Sequence, residues 1–202
     1  MTTIAVISAG LSQPSSTRLL ADRLAEAVAL AVAEKGQDGI EIVNVELREL
    51  AHDITNNLLT GFPSENLRRG IDSVVGADAL IAVTPVFSAS YSGLFKSFFD
   101  VLDRDAIENK PTLIAATGGS ARHSLVLDYA LRPLMSYLRA RTLPTAVFAA
   151  TEDFGLDTAG ASLTSRIDRA AGELVALLGD QRYADKTDPF DLPLSFEALL
   201  NR

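Results

Sequence analysis

The sequence predicts an α/β domain of three layers, a doubly wound parallel sheet with helices on both faces. Short apolar runs of strand length alternate with amphipathic stretches of helix length along the chain. No internal repeat or low-complexity block breaks that alternation. The 202 residues, 48% of them hydrophobic, suit one domain, which at this size buries roughly 70% of its extended-chain surface on folding.

Each element has its own signature. Ile4–Ile7 is a first strand. In Arg18–Lys35 the residues Leu20, Leu24, Ala27, Val28 and Ala31 recur at helical spacing, giving a helix with one buried stripe that Gly36 and Gly39 end. Ile40, Ile42, Val43 and Val45 form a second strand. A short helical turn around Ile54–Leu59 breaks at Gly61–Pro63, and Ser64 then caps a helix Glu65–Val75. Ala79–Thr84 is a third, fully buried strand and Ser92–Leu102 a helix. Thr112–Ala116 is a fourth strand. The next helix runs from Arg122 to Arg139, and Pro133 inside it removes a backbone donor and kinks or restarts it. Thr145–Ala150 is a fifth strand and Ser162–Leu178 the last helix. Residues 1–178 thus form the domain and 179–202 a tail, with Phe190, Leu192, Leu194, Phe196 and Leu199 as its docking residues.

Five strands favour the order 2-1-3-4-5 over the other common doubly wound order, with right-handed connections. Ligands in such sheets sit beyond the carboxyl ends of the strands where the order reverses. Here that means the loops after strands one, three and four.

Composition narrows the chemistry. The chain has no cysteine, so disulfides, thiolate zinc, a cysteine nucleophile and a cysteine-held iron–sulfur cluster are excluded. His52 and His123 are the only histidines, which excludes a multi-histidine metal site. A net charge of -8 argues against nucleic acid, whose binders need a basic face. No run approaches the ~20 apolar residues of a membrane span. The segment MTTIAVISAG has no basic n-region and runs straight into a strand, so no signal peptide and a cytoplasmic location are expected.

The loop after strand one, Ser8 to Thr17, is rich in hydroxyls and opens a helix, which makes a neutral anion cradle. It carries neither the Walker lysine nor a G-x-G-x-x-G dinucleotide signature. It reads equally as an ordinary Ser-rich turn with an N-cap. The loop after strand three, Thr84 to Gly93, carries Phe87 and Tyr91 among small residues. Either a flat ring lies against it or the two aromatics pack beneath it as core. The loop after strand four, Ala116 to His123, holds Gly118 and Gly119, which permit close backbone approach or positive φ. His123 is either a solvated capping residue or a ligand contact. No acid–base pair or triad stands out, which fits chemistry carried by a cofactor.

At these loops the sequence resembles the flavodoxin-like NAD(P)H-dependent FMN reductases, and within them the sulfonate-utilisation type that feeds two-component monooxygenases. Thr84–Gly93, T-P-V-F-S-A-S-Y-S-G, is similar to their T-P-V-Y-x-A-S-Y-S-G. Ala116–Pro133, A-T-G-G-S-A-R-H-S-L-V-L-D-Y-A-L-R-P, is similar to their A-T-G-G-x-x-x-H-x-x-x-x-D-Y-A-L-x-P. The resemblance covers about residues 1–178 and implies a flavodoxin-like fold. It implies that Ser8, Ser15, Ser16 and Thr17 hold the FMN phosphate. Pro85, Val86, Phe87 and Ser88 would line the ring and ribityl side, and Thr117, Gly118, Gly119 and Ser120 would approach the pyrimidine end. Many relatives carry an arginine in the first loop; this chain has Ile7-Ser8-Ala9-Gly10-Leu11, with Arg18 as a partial substitute.

The expected activity is an NAD(P)H:FMN oxidoreductase whose reduced flavin leaves for a flavin-dependent monooxygenase, with no metal and no catalytic side chain. The alternatives are an FMN-containing quinone, azo-dye or metal-ion reductase, a flavodoxin-type electron carrier, or a flavin-free interaction domain. The helix Arg122–Arg139 carries Leu125, Leu127, Tyr129, Leu131, Leu134, Met135, Tyr137 and Leu138, more apolar surface than one core stripe needs. A homodimer or homotetramer built on it and on Ser92–Leu102 is therefore expected, with deep burial inside one subunit as the alternative.

Overall fold

A computed structural model describes residues 1–36, 39–155 and 158–178. The tail residues Phe190 to Leu199 lie outside the described residues. The strands are β1 (Thr2–Ser8), β2 (Ile40–Glu46), β3 (Ala79–Phe87), β4 (Ser90–Tyr91), β5 (Pro111–Gly118), β6 (Arg141–Thr142) and β7 (Val147–Ala150). The helices are α1 (Ser16–Glu34), α2 (Ala51–Thr60), α3 (Glu65–Gly76), α4 (Gly93–Asp100), α5 (Arg132–Tyr137) and α6 (Thr158–Leu178).

The main sheet runs β2-β1-β3-β5, with β6 and β7 both pairing with β5 at its far edge, and all of these pairings are parallel. This is the doubly wound, flavodoxin-like order expected from the sequence. Alternation along each strand sorts its side chains to two cores. Ile4 and Val6 of β1, Ile81 and Val83 of β3, and Leu113 and Ala115 of β5 meet α1 and α6. Ala5 and Ile7, Leu80 and Ala82, and Ile114 and Ala116 meet α2 to α5. Burial on both faces explains why the central strands read as continuous apolar runs.

Several boundaries differ from expectation for physical reasons. The fifth strand begins at Val147, and β6 before it is a separate short pairing with the start of β5, the two flanking Pro144. A 3-10 turn, Leu47–Leu50, follows β2 and leads into α2, which is longer than the turn expected around Ile54–Leu59. Ser64 caps α3 as expected, its hydroxyl accepting from Leu67 N at 3.2 Å. The single helix expected over Arg122–Arg139 is three pieces: a 3-10 turn Ala121–His123, a π-helical turn Leu127–Leu131, and α5, with Pro133 in its first turn. Leu131 and Arg132 keep helical backbone, so the π-helical turn runs directly into α5, and Pro133 sits where one continuous helical run changes from π to α spacing.

Candidate functional site

Strand register places the three loops at one edge. Ser8 stands opposite Val83, Thr84 opposite Ala116, and Pro85 opposite Thr117. The carboxyl ends of β1, β3 and β5 are therefore level, and the connections after them form one surface.

The first connection is tightly determined. Ser8 is buried at the end of β1, and Ala9 N donates to Val83 O at 3.0 Å. Ser15 is the N-cap of α1, its Oγ accepting from Arg18 N at 3.2 Å. The chain folds back so closely that a Cβ on Gly10 would lie 2.1 Å from Ser15 Oγ and 3.1 Å from Thr17 Cβ. Ser16 is exposed at the first helical position. The first N–H groups of a helix lack intrahelical partners, and α1 has no acidic residue in its first turn. Hydroxyls and unpaired N–H groups without competing carboxylates are a donor set that fits a phosphate monoester.

Thr17 is only 2% exposed. Its Oγ1 shares a 2.8 Å hydrogen bond with Thr117 Oγ1, 100 residues away in sequence. The structure thus brings two predicted site residues together, and because the bond uses only one of the two hydroxyl hydrogens, the accepting threonine keeps its own O–H to donate. Arg18 does not stand in for a loop arginine. Its Nε meets Asp22 Oδ1 at 2.7 Å and its Nη1 meets Glu46 Oε1. Burial opposes the charge of Arg18, but the hydrogen bonds and attraction of Asp22 and Glu46 outweigh it and hold its pKa above the usual value. Nearby, the Gln13 side chain, oriented with its carbonyl toward Arg48, accepts from both terminal nitrogens of that guanidinium, Nη1 at 3.2 Å. Sequence reasoning missed Arg48.

The second connection is a hairpin that the sequence did not announce. Val86 pairs with Tyr91 and Phe87 with Ser90, leaving a two-residue turn at Ser88 and Ala89, with φ of 49° and 70°. Two consecutive left-handed residues suit such a turn, yet neither is Gly or Asn. The turn is held from below. Buried Thr84 Oγ1 accepts from Ser92 N at 3.0 Å and donates to Pro85 O, and Ser92 Oγ caps α4 at Phe95 N. The aromatic alternatives divide: Tyr91 packs against the core with its ring 6.0 Å from that of Phe95, whereas Phe87 is 46% exposed.

The two glycines of the third connection also differ. A Cβ on Gly118 would meet Phe148 Cζ at 2.9 Å, so its smallness serves the fold. A Cβ on Gly119 would meet nothing within 4 Å, which leaves room for a flat ring. Neither glycine has positive φ, so the left-handed reading is corrected. Ser120 Oγ accepts from Arg122 N at 3.3 Å, and His123 is exposed beyond it. Phosphate donors at one end and open space at Gly119 at the other fit the two ends of FMN.

Comparison with known proteins identifies the family. Residues 2–155 match the family model described as NADPH-dependent FMN reductase. The chain is 39% identical to the NADH-dependent FMN reductase SfnE of Pseudomonas putida over 177 residues, 87% of this chain and 92% of that one. It is 36% identical to an FMN reductase (NADPH) of Pseudomonas aeruginosa, again over 87% of this chain and 92% of the relative. Among solved structures, an oxidoreductase from Corynebacterium diphtheriae is 55% identical with a TM-score of 0.85, covering 88% of this chain and 97% of that one. The apo form of the NADH:FMN oxidoreductase EMOB is 31% identical with a TM-score of 0.72, over 85% and 89% of the two chains. The chain therefore belongs to the NADPH-dependent FMN reductase family and is an NAD(P)H:FMN oxidoreductase.

Proposed function

We propose that the chain takes FMN as a diffusible substrate, reduces it with NAD(P)H and releases it to a flavin-dependent monooxygenase. The observation that carries this reading is the asymmetry of the sheet edge: phosphate donors in the first loop, open space beside Gly119 in the third. When bound, FMN supplies the redox chemistry by accepting hydride from NAD(P)H. Ser8, Ser15, Ser16 and Thr17 hold its phosphate. Pro85, Val86, Phe87 and Ser88 line the ring and ribityl side, and Thr117, Gly118, Gly119 and Ser120 face the pyrimidine end. No side chain acts as acid or base; the protein positions the two nucleotides and leaves one ring face for the nicotinamide.

A homo-oligomer belongs to this reading. Leu127, Leu131, Met135 and Leu138 are buried in the core, but Leu125, Tyr129 and Tyr137 are exposed, Tyr129 at 78%. The π-helical turn that holds Tyr129 is a feature often found at functional sites. Light scattering should give a dimer or tetramer at micromolar concentration, and a 21.5 kDa species would remove this part.

The test of the function is NADH and NADPH oxidation by gel-filtered protein with and without FMN, FAD or riboflavin. The reading expects colourless protein that needs added FMN. A yellow protein that keeps its flavin and needs an organic acceptor would instead indicate a quinone or azo-dye reductase.

A further inference from the structure

A phosphate dianion placed in the first loop meets hydroxyls and N–H groups but no cation within Ser8–Thr17. Arg18, next along the chain, is held by Asp22 and Glu46. Arg48 is different. It is half-buried in the 3-10 turn after β2, and among the described residues no carboxylate pairs with it. Its guanidinium rests on the amide of Gln13, a side chain of the first loop itself. Topology fixes the side of approach. β2 lies across β1 from β3 and β5, so Arg48 reaches the first loop from the flank opposite the ring-binding loops. A flavin lying over the ends of β3 and β5 turns its phosphate end toward that flank.

We infer that Arg48 is the counter-cation of the site, binding the phosphate monoester of FMN by exchanging its hydrogen bonds from the Gln13 amide to phosphate oxygens. The inference rests on the FMN reading above. A planar guanidinium suits the exchange because its paired N–H groups fit two phosphate oxygens as readily as one amide oxygen. In the free protein the Gln13 amide keeps that guanidinium hydrogen-bonded without neutralising it.

The test is titration of flavin fluorescence quenching with FMN and with riboflavin, using wild-type protein, Arg48→Met, Arg48→Lys, Gln13→Ala and Ser16→Ala. Arg48→Met should weaken FMN about 10- to 100-fold, the range for a lost hydrogen bond to a charged group, and leave riboflavin unchanged. Arg48→Lys should restore part of the FMN affinity. Gln13→Ala should leave FMN binding within about threefold of wild type, because it frees Arg48 instead of removing it. Equal loss of FMN and riboflavin in Arg48→Met, or the same loss in Gln13→Ala, would show a strap that shapes the loop and overturn the inference. So would wild-type FMN affinity in Arg48→Met with a raised KM for NADPH but not NADH, which would assign the charge to the nicotinamide nucleotide's phosphate. A Ser16→Ala variant that lost FMN selectively beside an unaffected Arg48→Met would refute Arg48 alone. Loss of selectivity in neither would bring down the phosphate-loop reading as well.

Discussion

The first and third loops stand at the same sheet edge but are built in opposite ways. The first is over-determined: Ala9 is tied to β3, Ser15 caps α1, Gly10 is pressed against Ser15, and Thr17 is bonded to Thr117. Beyond Gly118 the third is open, with Gly119 facing free space and Ala121 to Leu125 exposed. The difference teaches how one site can be both selective and releasing. Under the proposed function, a rigid cradle would read the phosphate at little ordering cost, while an open ring end would allow nicotinamide stacking and flavin exit.

The contrast breaks most severely at Gly10. A β-carbon there must push the Ser15 hydroxyl off its cap and crowd Thr17, so Gly10→Val should destabilise the fold by about 1–3 kcal/mol and remove FMN binding. Thermal denaturation and flavin quenching check both halves. The adjacent glycines sharpen the comparison. Gly118→Val should also cost about 1–3 kcal/mol, because Phe148 is buried and has little room to move. Gly119→Val should unfold within about 0.5 kcal/mol of wild type yet bind FMN and riboflavin equally poorly. If Gly119→Val bound flavin normally, the ring would not lie where the open space suggests.

An effect read in stability alone tests the strut between the loops. Thr17→Val or Thr117→Val leaves one buried hydroxyl without its partner and should cost about 1–3 kcal/mol. The double variant should cost less than the sum, since both groups are then apolar. Additive losses in denaturant unfolding would mean that the two hydroxyls do not depend on each other. The smallest effect lies at the hairpin tip. Ala89→Gly removes left-handed strain of about 1–2 kcal/mol but adds unfolded-state entropy, for a net gain of about 0.5–1 kcal/mol in stability. A loss of stability would show that the turn is unstrained.

Much of this was legible in the residues. The strands and their order, the Ser64 cap and the three converging loops follow from periodicity, capping chemistry and the rule for doubly wound sheets. The hairpin after β3 was not, because Ser88-Ala89 lacks the Gly or Asn signature of its turn; Thr84 and Ser92 impose it from the core. The π-helical turn was hidden because Leu127 and Leu131 keep an ordinary helical spacing while Tyr129 is carried outward. The roles of Gly118 and Gly119 looked alike until Phe148, on another strand, separated them. The Thr17–Thr117 bond and the approach of Arg48 to Gln13 join distant segments, and no local pattern reports such meetings.

The central claim is that the first loop recognises phosphate and the third does not. The most direct measurement is the ratio of FMN to riboflavin affinity by fluorescence quenching in Ser16→Ala, beside the same ratio in Gly119→Val. Ser16 is exposed at the start of α1, so its truncation disturbs little else. The account predicts that Ser16→Ala lowers the ratio by about tenfold or more, as expected for a lost hydrogen bond to a charged group, while Gly119→Val leaves it unchanged. Equal weakening of both flavins by Ser16→Ala, or a ratio that collapses in Gly119→Val, would contradict it.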